Sequence, residues 1–247
     1  MKQHIPNVLT LLNLLCGTIA IIFAVNNHFV AAALFVFLGI FFDFFDGFIA
    51  RKLNVQSDLG VQLDSLADMV TSGVVPGIIM YKLLFLTLDA PEMTSEWSST
   101  FHWSSVKLPL LPIVGLCITL ASAYRLAKFN IDEDQQTYFK GLPTPANALL
   151  ILSLPLIIEF QNNDYLNAII INQWFLVCLT LLSCYLLNAN IKLFALKFKN
   201  WGFKANATRY VFVILCVLSL IFMQFAAIPV IILIYIGMSI FDNLASK

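Results

Sequence analysis

The stretch FFDFFDGFIARKLNVQSDLGVQLDSLADMV, Phe41–Val70, carries Asp43, Asp46, Asp64 and Asp68 inside sequence that otherwise has the apolar density of a membrane span. Asp43 and Asp46 are three residues apart and share one face of a helix. Asp64 and Asp68 are four apart and share a face of the next. The connection between them, KLNVQSD, is short. The two helices are therefore antiparallel neighbours, and the carboxylates converge near one membrane surface. An aspartate at the centre of a span costs roughly 2.5–3.5 kcal/mol, less near the interface. The nearby cations are Arg51 and Lys52, and Asp58 adds a further negative charge. Two monovalent cations do not offset this cluster; divalent cations do. Oxygen-only ligands suit Mg²⁺ or Mn²⁺ better than Zn²⁺. Carboxylates on two helices can hold a pair of such ions, an arrangement that usually acts on a phosphate.

The rest of the chain agrees with a bilayer as solvent. Of 247 residues, 60% are hydrophobic and 11% charged, against about 25% charged in soluble domains. The mean hydropathy is +0.87. Formal net charge is zero, which gives no bulk attraction to nucleic acid. The five cysteines lie in apolar stretches and form no CxxC pair, so they read as small packing residues.

The apolar runs predict an all-α membrane bundle of about eight transmembrane helices forming one domain over residues 1–247. The spans fall roughly at Val8–Val25, His28–Ala50, Gly60–Leu86, Leu108–Ala127, Thr144–Phe160, Ala168–Leu187, Tyr210–Phe225 and Ala226–Phe241. The first is read as a retained helix rather than a cleaved signal. With both termini cytoplasmic, twelve of the fourteen basic residues fall on the inner side and only Lys82 and Lys107 on the outer, as the positive-inside rule requires. The acidic cluster then lies at the cytoplasmic surface. The loop IKLFALKFKNWGFKANATR reads as a positive-inside loop with aromatic interface anchors, or as a short amphipathic helix on anionic lipid. His4, His28 and His102 are scattered and carry no assigned chemistry.

Two glycines flank the carboxylates, Gly47 after Asp46 and Gly60 one turn before Asp64. Glycine inside a helix costs about 1 kcal/mol relative to alanine, but here it lets a bulky ligand lie against bare backbone. Ala50 is small on the same side, and Arg51 ends the helix with a fork that matches phosphate. The pattern Asp43-x2-Asp46-Gly47-x2-Ala50-Arg51-x8-Gly60-x3-Asp64-x3-Asp68 resembles the signature of the CDP-alcohol phosphotransferase family at every defining position. Members are integral membrane enzymes that move a phosphoalcohol group from a CDP-linked donor to an alcohol and release CMP. The resemblance implies that Asp43, Asp46, Asp64 and Asp68 hold two divalent cations, Mg²⁺ or Mn²⁺. It implies that Asp68 is also the general base. Gly47, Ala50, Arg51 and Gly60 would then lie along the CDP moiety. It further implies a homodimer in the cell (inner) membrane of a prokaryote.

Three other stretches bear on the substrates. Asn7, Thr10 and Asn13 recur every three residues and form a polar stripe on the first span. That stripe is either a solvated helix start or a face turned to the donor, with Asn7 and Thr10 as the donor contacts. In SAYRLAKFN, Arg125 and Lys128 lie three apart at the cytoplasmic end of the fourth span, as positive-inside anchors or as an acceptor site. In FKGLPTPANA, two prolines flank Thr144 and predict a rigid turn opening the fifth span. These stretches resemble the serine-using, membrane-integral synthases of the family. Lys128 stands where their RLARFN pattern has arginine, keeping the charge but not the bidentate fork. The resemblance implies CDP-diacylglycerol and L-serine as substrates, with Arg125 and Lys128 at the serine carboxylate. Glycerol 3-phosphate, inositol phosphate or choline are alternative acceptors. From the residues alone, a cation transporter with the carboxylates as transport site also stays open.

Overall fold

The computed structural model describes residues 4–88, 109–131, 139–161, 163–193 and 207–245. Among them the chain is helical apart from turns and one two-residue ladder. Five helical runs are long and apolar enough to cross a bilayer: His4–Val25, Phe29–Leu53, Asp58–Leu86, Leu110–Ile131 and Arg209–Phe241. A sixth arises if Asp164–Ile170 and Gln173–Asn188 count as one bent span.

Helix α1 (His4–Val25) and α2 (Phe29–Leu53) form an antiparallel hairpin closed at Asn27, which takes the left-handed conformation (φ 62°). Ala20, Ala24, Ala32 and Ala33 are buried where the hairpin packs, as small residues at membrane helix crossings permit. Asn54, also left-handed (φ 52°), ends α2. Ser57 then caps α3 (Asp58–Asp68), accepting the Gly60 N–H at 3.1 Å. A π-helical turn over Met69–Val74 joins α3 to α4 (Val75–Leu86).

The fourth predicted span is α5 (Leu110–Ile113), a 3₁₀ turn and α6 (Cys117–Ile131). Gly115 in that turn lies against the backbone of α4: a Cβ there would stand 2.6 Å from the Tyr81 nitrogen. The rigid turn expected before the fifth span is present, with α7 running Thr144–Phe160. It is held from behind. Phe139–Lys140 pairs with Lys192–Leu193, and Gly141 (φ 76°) donates its N–H to Ile191 O at 3.0 Å. A side chain at Gly141 would meet Leu187 O at 2.5 Å.

The sixth predicted span is broken rather than straight. Helix α8 (Asp164–Ile170) and α9 (Gln173–Asn188) meet at 64°, because Asn163 and Asn172 each cap a new helix with the side-chain oxygen. The long run at the end folds back on itself. Gln224 has φ 48° between α10 (Ala207–Met223) and α11 (Ala227–Ala245). Phe212 and Tyr235, which a straight helix would hold far apart, meet with ring centroids at 5.5 Å. The hairpin tip docks on the end of α7 through Phe160–Phe225 and a Gln161 amide donated to Met223 O.

The core gathers Val36, Val75, Ile79, Met80, Leu84, Ile118, Ile151 and Leu176 from α2, α4, α6, α7 and α9. Outward faces are apolar too: Leu34, Leu120, Leu181, Ile221 and Phe222 are all exposed, as lipid contact demands. The lysine-rich loop over 194–206, the acidic loop over 89–108 and His102 lie outside the described residues. All five cysteines are free, in keeping with a packing role.

Candidate active site

The site is built where α1 crosses the α2–α3 hairpin. One carboxylate oxygen each from Asp43, Asp46 and Asp64 lies within 4.8 Å of the others. Asp46 is 5% exposed. Its Oδ2 accepts the Thr10 hydroxyl at 2.5 Å, which reaches across from α1. Asp64 Oδ1 is buried with no hydrogen-bond partner among the described residues. Three carboxylates packed so closely, one with an orphaned oxygen, need positive charge at their centre. An all-oxygen donor set of this kind fits a divalent cation.

Asp68 lies one turn further along α3, beside the trio and close enough for its charge to act on Asp43, Asp46 and Asp64. Its Oδ1 accepts the Asn13 side-chain amide at 3.4 Å. The guanidinium of Arg125, 8% exposed, interacts electrostatically with it. The spacing of the sequence brings four carboxylates to one helix pair. The fold sets three of them in mutual contact and the fourth beside them, hydrogen-bonded to Asn13.

Beside the trio opens a cavity of about 450 Å³. Asn7, Thr10, Gly47, Ala50, Arg51 and Gly60 all line it, together with Asp46 and Asp64. The polar stripe on α1 is thus no solvated helix end: Thr10 is 3% exposed and Asn13 fully buried. Gly47 leaves open space, since a Cβ there would meet only Arg51 Nη2 at 3.8 Å. Gly60 is tighter, with Ser57 Oγ and Asn7 Oδ1 at 3.3 and 3.5 Å from such an atom.

A second, small cavity of about 20 Å³ is lined by Arg125, Lys128 and Lys140 with Asn188 and Asn190. Phe129 forms part of both cavity walls, so the two are neighbours. Arg125 Nε has no hydrogen-bond partner among the described residues, and neither polar atom of buried Asn147 has one. The sequence pattern singled out Arg125 and Lys128 but missed Lys140, which the ladder to Lys192 carries to the same rim. It also missed Asn130, the last residue of the RLAKFN stretch. Asn130 exchanges hydrogen bonds with Ser65, at 2.9 and 3.1 Å, and ties α6 to the turn between Asp64 and Asp68.

A carboxylate trio at a helix crossing, beside a cavity walled by glycines and an arginine, is the setting in which the signature residues meet. The chain belongs to the CDP-alcohol phosphatidyltransferase family, whose sequence model matches residues 3–185. Within it the chain is 36% identical over 171 residues to a CDP-diacylglycerol–serine O-phosphatidyltransferase of Bacillus subtilis, covering 68% of this chain and 81% of that protein. It is 32% identical over 166 residues to the protein of that name from Methanocaldococcus jannaschii, covering 67% and 66%. It is 29% identical over 152 residues to an archaetidylserine synthase of Methanothermobacter thermautotrophicus, covering 60% and 56%. It spans about half the length of the Mycobacterium tuberculosis relatives.

Proposed function

We propose that this protein transfers the phosphatidyl group of CDP-diacylglycerol to the hydroxyl of L-serine, giving phosphatidylserine and CMP. One observation carries the reading: a cavity floored by Asp46 and Asp64 shares the wall residue Phe129 with a small cationic pocket around Arg125. The larger cavity suits the donor. Arg51 would meet its pyrophosphate, with Gly47, Ala50 and Gly60 leaving room for the cytidine moiety and Asn7 and Thr10 closing the side. The small pocket suits a carboxylate, with Arg125, Lys128 and Lys140 supplying the charge.

Asp43, Asp46 and Asp64, with Asp68 beside them, would hold two divalent cations, Mg²⁺ or Mn²⁺. When bound, these supply the charge neutralisation that a transferring phosphoryl group needs. Asp68 takes the proton of the serine hydroxyl as that oxygen bonds to the lipid-linked phosphorus. The bond from that phosphorus to the CMP oxygen breaks, and CMP leaves with the electron pair. Serine hydroxyl is a weak nucleophile at neutral pH, so a positioned carboxylate is worth two or more orders of magnitude, about 10²–10⁴-fold. The bias of lysine and arginine supports a site on the cytoplasmic side of the cell membrane, and the family resemblance favours a homodimer.

The test is CMP release from CDP-diacylglycerol by the purified protein, with Mn²⁺, Mg²⁺ or EDTA, and with L-serine, glycerol 3-phosphate, inositol phosphate or choline. The expected result is metal-dependent release with serine alone. Arg125→Ala should raise the serine KM at least about tenfold, the worth of a charge-assisted hydrogen bond. Release with a different acceptor refutes the serine assignment. An unchanged serine KM in Arg125→Ala removes the carboxylate role.

A further inference from the structure

Asp68 is anchored by a part of the fold that lies outside the signature residues. Asn13 is fully buried on α1 and donates its side-chain N–H to Asp68 Oδ1 at 3.4 Å. Thr71, also fully buried, donates its hydroxyl to Asn13 Oδ1 at 2.8 Å, with the Asn13 carbonyl oxygen at 3.2 Å. The two contacts fix the amide in one orientation. A flipped Asn13 would set its own oxygen against the Asp68 carboxylate, two acceptors facing each other, and would set its N–H₂ against the Thr71 hydroxyl.

The backbone is shaped around this chain of bonds. Thr71 sits in the π-helical turn Met69–Val74, where the Val75 N–H reaches back to Val70 O. One extra residue in a turn rotates everything beyond it by about 100°. Asp64 and Asp68 can therefore face α1 and α2 while Val75, Ile79 and Met80 face the apolar core. Two glycines make room for Thr71. A Cβ at Gly39 would stand 2.8 Å from both Asn13 Oδ1 and Thr71 Cγ2, and one at Gly17 would collide with Thr71 Oγ1. Three helical segments thus meet at bare backbone around one buried hydroxyl–amide–carboxylate series.

We infer that Asn13 and Thr71 are positioning residues: Thr71 holds the Asn13 amide, and Asn13 holds the Asp68 carboxylate towards the acceptor hydroxyl. The inference rests on the catalytic role proposed for Asp68. A side chain that orients a reacting carboxylate acts on turnover, because the carboxylate still exists without it but samples unproductive rotamers. Loss of such a partner typically costs about 10–100-fold.

The experiment compares Asn13→Ala, Thr71→Val and Thr71→Ser with wild type in CMP release, alongside calorimetric binding of CDP-diacylglycerol and thermal melting. Thr71→Val keeps the shape and removes the hydroxyl; Thr71→Ser keeps the hydroxyl. Positioning predicts a kcat loss of about 10–100-fold in Asn13→Ala and about tenfold in Thr71→Val. Serine KM and donor affinity should stay within about threefold, and Thr71→Ser should recover most of the turnover. Equal losses in the valine and serine variants, an unchanged kcat, or a loss confined to KM or donor affinity would each overturn the inference. If Asn13→Ala does not fold, the valine–serine pair decides alone. If wild type uses an acceptor other than serine, the proposed substrate falls while the kcat ratios, taken with that acceptor, still test the positioning. A folded wild type silent with every acceptor would remove both.

Discussion

Replacing Thr10 by valine removes a single oxygen and tests whether α1 belongs to the metal-binding machinery. Thr10 is 3% exposed, and its hydroxyl lies 2.5 Å from Asp46 Oδ2 and 3.1 Å from Pro6 O. It has one proton to give, and the carboxylate is the stronger acceptor. Pro6 O also has the backbone N–H of residue 10 as its ordinary helical partner, so it loses little. Valine matches the volume of threonine and opens no cavity. What disappears is one hydrogen bond to a charged group, worth about 1.5–3 kcal/mol. Loss of a partner that orients a metal-binding carboxylate typically costs about 10–100-fold in metal affinity, the factor expected for the ion proposed at Asp46. Titrating CMP release with Mn²⁺ should show the half-saturating metal concentration raised by that factor, with turnover at saturating metal within about threefold of wild type. A melting curve checks the fold. A midpoint unchanged within twofold, or lowered, in protein that melts normally would refute the role of Thr10 and weaken the case for Asp46 as a ligand.

Two further substitutions separate the donor cavity from the packing of the bundle. Gly47→Leu places a side chain into open space beside Arg51, so melting should not fall while the KM for CDP-diacylglycerol rises at least about tenfold, as steric exclusion from a fitted site predicts. An unchanged donor KM would mean that the donor lies elsewhere. Gly115→Ala pushes a methyl to within 2.6 Å of the Tyr81 nitrogen and 2.9 Å of the Met80 carbonyl carbon. It should destabilise by about 1–3 kcal/mol, seen as a lower melting temperature in detergent with substrate KM values unaltered.

Helix positions and helix faces were legible because both follow from spacing. An i, i+3 or i, i+4 repeat names a helix face without knowledge of the neighbours. The family resemblance is what groups Asn7, Thr10, Gly47, Ala50, Arg51 and Gly60 around one site, and they line one cavity. The bend at Asn172 was not legible from hydropathy, because Ile169 to Phe175 stays largely apolar while the capping asparagine changes direction. Lys140 was not legible either. Its place at the cationic pocket depends on a two-residue ladder with Lys192, fifty-two positions away in the chain.

Asp68 shows most clearly where periodicity stops being informative. Four residues after Asp64, it shares that residue's face, and spacing alone puts it with the other carboxylates. Spacing says nothing of partners on other helices, and at Asp68 that partner is Asn13 of α1. Nor does residue type announce the π-turn. MVTSGV holds no proline, and its one glycine serves the approach of α6, where Ser122 Cβ would stand 3.1 Å from an added Cβ. The turn exists because two faces must be satisfied in one continuous helix: carboxylates towards α1 and α2, then an apolar face towards α7. A regular α-helix over Asp58–Leu86 would carry the two faces out of phase by about one residue, near 100°. Widening a single turn corrects that phase, and the site supplies what stabilises it, the Thr71 hydroxyl bonded to Asn13.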